Sequence, residues 1–182
     1  MEKFRLRRDD SVLMIIDLQE RLMQAMKDRE RVYKNTNLLL ATAGEFDIPV
    51  VLSEQYPKGL GPTVNEIKDN LTSYHYLDKT CFSLCNQEAY TILDKIGKHT
   101  IIVTGSETHV CVFQTVRDLL ESGFNVHLVR DAVCSRFDEN YRNALALMRD
   151  MGAVITNTET VVFDLLQEAG TSAFKNISPL IK

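Results

Sequence analysis

A chain of 182 residues is long enough to bury its own hydrophobic core, so we expect a single domain over residues 1–182. Apolar residues make up 45% of the chain and charged residues 25%, which is typical of a globular protein and excludes a disordered or membrane-embedded one. The net charge of −4 argues against a broad phosphate-binding surface, so we expect no nucleic-acid partner.

The cysteines and the N-terminal segment favour a cytoplasmic protein. The four cysteines, Cys81, Cys85, Cys111 and Cys134, match no secreted disulfide framework, and no apolar signal-peptide core precedes them. No stretch reaches the roughly 18 apolar residues that a membrane span requires. We therefore expect free thiols, a cytoplasmic location and no membrane partner.

Short apolar, β-rich segments alternate with helical patterns along the chain. Strands are predicted at residues 12–17, 49–53, 74–77, 100–104, 125–129 and 154–156, of which residues 74–77 carry the weakest pattern. Helices are predicted at residues 20–46, 86–96, 108–122 and 139–151. The strand interiors are continuously apolar, which is typical of a parallel sheet covered by helices on both faces.

This alternation predicts an α/β fold with three layers, α/β/α. Successive right-handed crossovers build a doubly wound sheet. We expect a mostly parallel, six-stranded, Rossmann-like sheet with the strand order 3-2-1-4-5-6. Because ligands of such sheets bind at the carboxyl ends of the strands, candidate site residues are Asp17, Glu54, residues 105–111 and Asp131.

Cys111 lies where a buried strand passes through a turn into a helix. Thr108 is a suitable N-cap, which would place Cys111 in the first helical turn. The positive end of the helix dipole would lower the pKa of a thiol there, and free backbone N–H groups would be available to an oxyanion. The same position also suits a small buried core thiol, so the pattern leaves a nucleophile and a packing residue open.

Two charged residues near other strand ends are ambiguous in the same way. Asp17 follows the first predicted strand, where it is either an N-cap for the next helix or a general base. Lys79 follows the weak third strand, and an isolated lysine is usually a solvated surface residue. Lys79 gains a chemical role only if the fold places it beside Asp17 and Cys111.

Four motifs, in order along the chain, resemble the isochorismatase-like hydrolase superfamily, which includes nicotinamidases, N-carbamoylsarcosine amidases and isochorismatases. They are IIDLQ at residues 15–19, DKTCFS at 78–83, GSETHVCVFQT at 105–115 and DAVCSR at 131–136. The segment EQYPKGLGPT at residues 54–63 is similar to a loop of a small subgroup of these cysteine hydrolases whose substrates are unassigned.

The resemblance implies a catalytic triad of Asp17, Lys79 and Cys111. It also implies a cis peptide bond between Ser106 and Glu107, with the N–H groups of Glu107 and Cys111 forming an oxyanion hole. Gln19, Tyr56 and Phe82 are the substrate-binding residues that the resemblance implies.

The sequence departs from the metal-dependent nicotinamidases. Those proteins carry an Asp-x-His arrangement after the second strand, where this chain reads Ser53-Glu54-Gln55. The four histidines, His75, His99, His109 and His127, have no partner at ligand spacing, and Cys81 with Cys85 is weak evidence for zinc. We expect neither a catalytic metal nor a cofactor.

These expectations combine into a cysteine-dependent hydrolase that cleaves an amide-like C–N bond of a small molecule through an acyl-enzyme. Isochorismatase-type ether hydrolysis is one alternative, because an acidic Asp17 can act there without a thiol. A catalytically silent binding module of the same fold is another. The resemblance implies a homo-oligomer, and Met23 and Met26 on the predicted helix at residues 20–46 suggest an interface.

Overall fold

The computed structural model describes residues 1–181 of the chain. Its strands are β1 (Ser11–Ile16), β2 (Val50–Gln55), β3 (His75–Lys79), β4 (Thr100–Ser106), β5 (Asn125–Cys134) and β6 (Val154–Thr156). Its helices are α1 (Glu20–Gln24), α2 (Arg29–Glu45), α3 (Pro57–Leu60), α4 (Asn65–Lys68), α5 (Gln87–Ile96), α6 (Phe113–Glu121), α7 (Asp138–Asp150), α8 (Thr158–Leu166) and α9 (Ser172–Ile177). Short 3₁₀ turns cover Glu2–Phe4 and Ser178–Ile181, and a π-helical turn, Thr108–Val112, precedes α6.

The strands form one sheet in the order β3-β2-β1-β4-β5-β6, and every neighbouring pair is parallel. The predicted α/β class, the six strands and the order 3-2-1-4-5-6 are therefore confirmed. Since all strands point the same way, their carboxyl ends share one edge of the sheet. We call this the catalytic edge because it carries the candidate site described below.

Each face of the sheet packs against its own layer of helices. Successive side chains of a strand point to opposite faces, and β1 shows this directly. Leu13 and Ile15 join a core cluster with residues of α2 and α8. Val12, Met14 and Ile16 join a second cluster with residues of α5, α6 and α7. The continuous apolar run of β1 is thus explained by burial on both faces, as the sequence predicts.

The single helix predicted at residues 20–46 is wrong: the segment forms α1 and α2, separated at residues 25–28. Met23 and Met26 are 0% and 2% exposed and belong to the core, so they do not form the suggested interface. The apolar pattern continues across the break because both helices and their connection bury side chains against the same face of the sheet.

Strand β5 is longer than predicted. It continues to Cys134, and its register against β4 shifts between Val103 and Gly105. Asp131 therefore lies within the strand rather than after it. Its carboxylate accepts hydrogen bonds of 2.8 Å from the backbone N–H and the hydroxyl of Thr158, at the start of α8. Asp131 thus has a structural role in the described chain.

Among the described residues, no helix has the length and apolar character needed to cross a bilayer.

Gly105 allows β4 to lie close to β1 at the catalytic edge. It pairs with Ile16 and adopts a φ of 137°, and a Cβ atom at this position would overlap the backbone carbonyl and amide of Ile16. The two strands that lead to the candidate site therefore approach each other as closely as glycine permits.

We expect Gly105→Ala to lower the free energy of unfolding by about 3 kcal/mol, because the added methyl group forces β4 away from β1. Urea denaturation measures this change. Gly44→Ala is the matched control, since a Cβ atom at Gly44 meets nothing within 4 Å and should change stability by less than about 1 kcal/mol. Equal effects of the two substitutions would contradict the proposed close approach.

Candidate active site

The fold brings together the three residues expected to be catalytic. Asp17 directly follows β1, Lys79 ends β3, and Cys111 lies in the π-helical turn after β4. Lys79 Nζ donates a hydrogen bond of 2.6 Å to Asp17 Oδ2. The charges of both side chains act on the pKa of the Cys111 thiol, which the carboxylate raises and the ammonium lowers. A carboxylate, an ammonium and a thiol therefore form one cluster at the catalytic edge.

Lys79 is held by acceptors on several sides. Besides Asp17 Oδ2, its Nζ donates to Gln55 Oε1 at 2.8 Å and to the backbone carbonyl of Phe82 at 2.9 Å. An ammonium has three hydrogens, so these contacts use them all. The side chain is 1% exposed, and a buried ammonium requires such partners to offset its lost hydration. Lys79 is therefore a fixed cation with no capacity to accept a proton.

Asp17 is fixed at both carboxylate oxygens. Ser53 Oγ donates to Oδ1 at 2.7 Å, while Lys79 holds Oδ2. The Asp17 backbone N–H donates to the carbonyl of Ser53, and its own carbonyl accepts from Ser106 Oγ. The residue has a φ of 51°, a left-handed conformation that aspartate adopts more readily than most residues. These contacts orient the carboxylate rather than capping a helix.

Sequence reasoning missed the parts that Ser53 and Gln55 play. In the parallel register, Ser53 pairs with Ile16 and Gln55 pairs with Lys79. Residues two apart in a strand share a face, so both side chains reach the ion pair from β2. They occupy the place of the Asp-x-His arrangement in metal-dependent relatives. The absence of the Asp-x-His arrangement from this chain was the sequence signal that could have pointed to Ser53 and Gln55.

The thiol of Cys111 is neutral at rest. Cys111 is 5% exposed, and burial, reinforced by the charge of Asp17, raises the pKa of its thiol to about 12 against the opposing effect of Lys79. The lowered pKa expected from a helix N-terminus is therefore wrong, because desolvation outweighs the dipole. Thr108 is also not the N-cap: that position is held by Glu107.

The turn that carries Cys111, together with the peptide bond ahead of it, is tied to the segment after β5. The peptide bond between Ser106 and Glu107 is cis, as the resemblance implied. The buried Glu107 carboxylate accepts from the backbone N–H of Arg136 at 2.9 Å and from its Nε at 3.1 Å. His109 Nδ1 lies 3.0 Å from Ser135 Oγ. Ser135 and Arg136 of the fourth motif thus brace the turn that carries Cys111.

The three expected substrate-binding residues have different surroundings. Gln19 is 0% exposed, and its amide exchanges hydrogen bonds with the backbone of Gln55 and donates to the carbonyl of Gly61. Tyr56 and Phe82 are 55% and 52% exposed and adjoin Lys79 through backbone hydrogen bonds. Gln19 therefore holds the loop after β2, and the two aromatic rings are the accessible groups. Their contact with substrate stays a prediction.

The charges of Asp17 and Lys79 act on the pKa of Cys111 and not on that of Cys85 or Cys134. Cys81 is exposed, Cys85 is half-buried and Cys134 is buried, and all four thiols are free. Burial raises the pKa of the Cys85 thiol to about 11 and that of Cys134 to about 12. Within residues 1–181, no group of three or more His, Cys, Asp or Glu residues is arranged to hold a metal ion.

Comparison with known proteins identifies the family of this chain. The model of the isochorismatase domain matches residues 11–160. Isochorismatase family protein 1A of Dictyostelium discoideum is 37% identical over 175 residues, which cover 93% of this chain and 85% of that protein. The chain therefore belongs to the isochorismatase family of hydrolases.

Two solved structures are similar over nearly the whole chain. The MAR1 ribonuclease from Caenorhabditis elegans has a TM-score of 0.92 and 37% identity, with coverage of 97% of this chain and 92% of that one. YcaC from Pseudomonas aeruginosa, solved with hexane-2,5-diol and covalent acrylamide, has a TM-score of 0.89 and 26% identity, with coverage of 97% and 91%.

We expect Lys79→Met to lower the free energy of unfolding by about 3–5 kcal/mol, because it leaves the Asp17 carboxylate buried without its counter-ion. Urea denaturation checks this value. The control is Arg7→Met, which breaks the exposed Arg7–Asp9 pair and should leave the unfolding midpoint unchanged. A Lys79 variant as stable as the wild type would contradict the buried ion pair.

Proposed function

We propose that this protein is a cysteine-dependent hydrolase that cleaves an amide-like C–N bond of a small molecule, with Asp17, Lys79 and Cys111 as its catalytic residues. The observation that carries the proposal is the buried 2.6 Å ion pair between Lys79 and Asp17 whose groups act on the Cys111 thiol. Burying an ion pair of this kind costs free energy. Buried charged groups beside a potential nucleophile are typical of active sites.

The reaction begins from the neutral thiol. As Cys111 Sγ attacks the carbonyl carbon, its proton moves to the Asp17 carboxylate, because Lys79 has no lone pair to accept it. Lys79 remains cationic and stabilises the negative charge that develops on sulfur. The cluster thus supplies a base and a cation without a histidine.

The later steps reuse the same proton. The N–H groups of Glu107 and Cys111 stabilise the tetrahedral oxyanion, and such a donor is worth about 3 kcal/mol. Protonated Asp17 returns its proton to the leaving amine as the C–N bond breaks. Asp17 then accepts a proton from water as the water attacks the acyl-enzyme, and it gives that proton to Cys111 Sγ as the carbon–sulfur bond breaks, which releases the acid and restores the thiol.

The surroundings favour a small substrate with little net charge. Asp17 and Lys79 neutralise each other, and the accessible groups nearest to Lys79 include the rings of Tyr56 and Phe82. Acrylamide is a small primary amide with an electrophilic carbon, and the YcaC structure from Pseudomonas aeruginosa holds it covalently. That neighbour supports the idea that a small amide fits this kind of site.

Ribonuclease activity is a second candidate because a 37% identical structure carries that name. The net charge of −4 and the burial of Asp17, Lys79 and Cys111 favour a small molecule over a polyanion. Incubation with single-stranded RNA separates the two. Cleavage that is abolished by Cys111→Ala would replace the amide proposal with this candidate.

Acrylamide addition tests the proton transfer without a known substrate. A thiol of pKa about 12 that reacted only as preformed thiolate would gain about tenfold in rate per pH unit. If Asp17 accepts the proton during attack, the rate of acrylamide addition at Cys111 becomes nearly independent of pH. Between about pH 6 and about pH 8 we expect less than a twofold rise at Cys111, against the roughly hundredfold rise that a preformed thiolate would require.

Peptide mass spectrometry of the alkylated protein measures Cys111 and Cys81 in one sample, so Cys81 serves as the internal standard. Slower reaction at Cys111 than at Cys81 at neutral pH, with a rate that climbs steadily with pH, would favour the catalytically silent binding module.

Turnover of small primary amides distinguishes thiol attack from ether-type acid catalysis. We expect Cys111→Ala to lower kcat by at least about 10⁴-fold, because the nucleophile is removed. Cys134→Ala removes another buried thiol and is the matched control, with kcat unchanged. Product release measured by chromatography checks both variants. Full activity of Cys111→Ala would favour isochorismatase-type chemistry on an acidic Asp17.

We also propose that the chain acts as one domain, in a reducing cytoplasm, as a homo-oligomer. The free thiols support the compartment. Exposed aromatic side chains at the catalytic edge, Tyr56, Phe82 and Phe137, support self-association because such rings favour burial at interfaces. Neither a metal nor a cofactor has a part in the proposed reaction.

A further inference from the structure

Ser53 places a hydroxyl group against the carboxylate that carries the proton. Ser53 is 0% exposed, and its partners on the neighbouring strands, Ile16 and Leu77, are apolar. Ser53 Oγ donates to Asp17 Oδ1 at 2.7 Å. Burying a hydroxyl without a partner is unfavourable, so this contact accounts for a serine directly after the apolar residues of β2.

We infer that Ser53 is a positioning residue that supports Asp17 in both of its protonation states, an inference that rests on the proposed function. It deepens that function by assigning the atom on which the proton is held. The two carboxylate oxygens have unlike partners. Oδ2 faces an ammonium that can only donate, and Oδ1 faces a hydroxyl that can donate or accept.

Lys79 cannot turn away from Oδ2 when Asp17 gains a proton, because Gln55 and Phe82 hold its other hydrogens. Lys79 Nζ already occupies one lone-pair direction of Oδ2 at 2.6 Å, so a proton on Oδ1 disturbs this charge-assisted contact less than a proton on Oδ2 would. The thiol proton therefore resides on Oδ1.

Ser53 then reverses its role. Before the attack its hydroxyl donates to the ionised carboxylate, and after proton transfer it rotates and accepts from the new carboxylic acid. The only atom transferred is the Cys111 proton, which leaves Sγ as the carbon–sulfur bond forms and ends on Asp17 Oδ1. When the amine departs, that proton leaves Oδ1 and Ser53 donates again.

Ser53→Ala tests this role in the full chain, with acrylamide addition at Cys111 as the readout. Loss of the donor disfavours the ionised carboxylate, so the acid limb of the profile, where the rate at Cys111 falls as the pH is lowered, should move to higher pH. The plateau rate should fall about tenfold, because one hydrogen bond to the acid form is also lost. Ser53→Thr keeps the hydroxyl and should restore the wild-type limb.

Ser11→Ala is the matched control. Ser11 is also 0% exposed, but its hydroxyl donates to the carbonyl of Arg7 at the opposite edge of the sheet. Removing it should lower stability in urea and leave the pH profile of Cys111 unchanged. This control separates the loss of a buried hydrogen bond from the loss of contact with Asp17.

Three outcomes are decisive. A shifted acid limb in Ser53→Ala, restored by threonine and absent in Ser11→Ala, supports the role of Ser53. If Cys111 of the wild type shows the plateau and Ser53→Ala has the same rate and the same pH profile, the role of Ser53 is overturned and the proposed function stands. A wild-type Cys111 that reacts no faster than Cys81 at neutral pH overturns the proposed function, and the role of Ser53 with it.

Discussion

The buried ion pair between Asp17 and Lys79 is the constraint on which the rest of the site depends. Neither charge is stable in the interior alone, so the strand ends that carry them must lie within hydrogen-bonding reach of each other. Strand β2 lies between β1 and β3 and supplies Ser53 and Gln55 to the two partners. One interaction thereby ties three strand ends together and fixes the orientation of the carboxylate that faces the thiol.

The sheet order explains why the thiol arrives from the other side. Strand β1 lies between β2 and β4, so Asp17 has Lys79 on one side and the turn that carries Cys111 on the other. Gly105 lets β4 approach Ile16 closely, and Glu107 and His109 brace the turn against the segment after β5. The cluster is therefore held by the rigid part of the fold and not by a flexible loop.

The sequence was sufficient for the strand order and for placing Asp17 and Cys111 beyond the ends of β1 and β4, because alternating strands and helices and the ends of apolar runs can be read from local patterns. It was not sufficient for Ser53 and Gln55, whose partners lie 36 and 24 residues away along the chain. The break after α1 was hidden by a continuous apolar pattern. The direction of the pKa shift at Cys111 was missed because burial, which no local pattern records, outweighs the helix dipole.

The neutral resting state of Cys111 also affects how long the protein keeps working in the presence of oxidants. Peroxides attack thiolates, and a thiol that is buried and protonated presents almost no thiolate to them. A cysteine activated by a permanently low pKa lacks this protection. In the proposed reaction the thiol loses its proton only as it attacks an electrophile, so the burial that protects Cys111 from oxidants does not prevent the reaction.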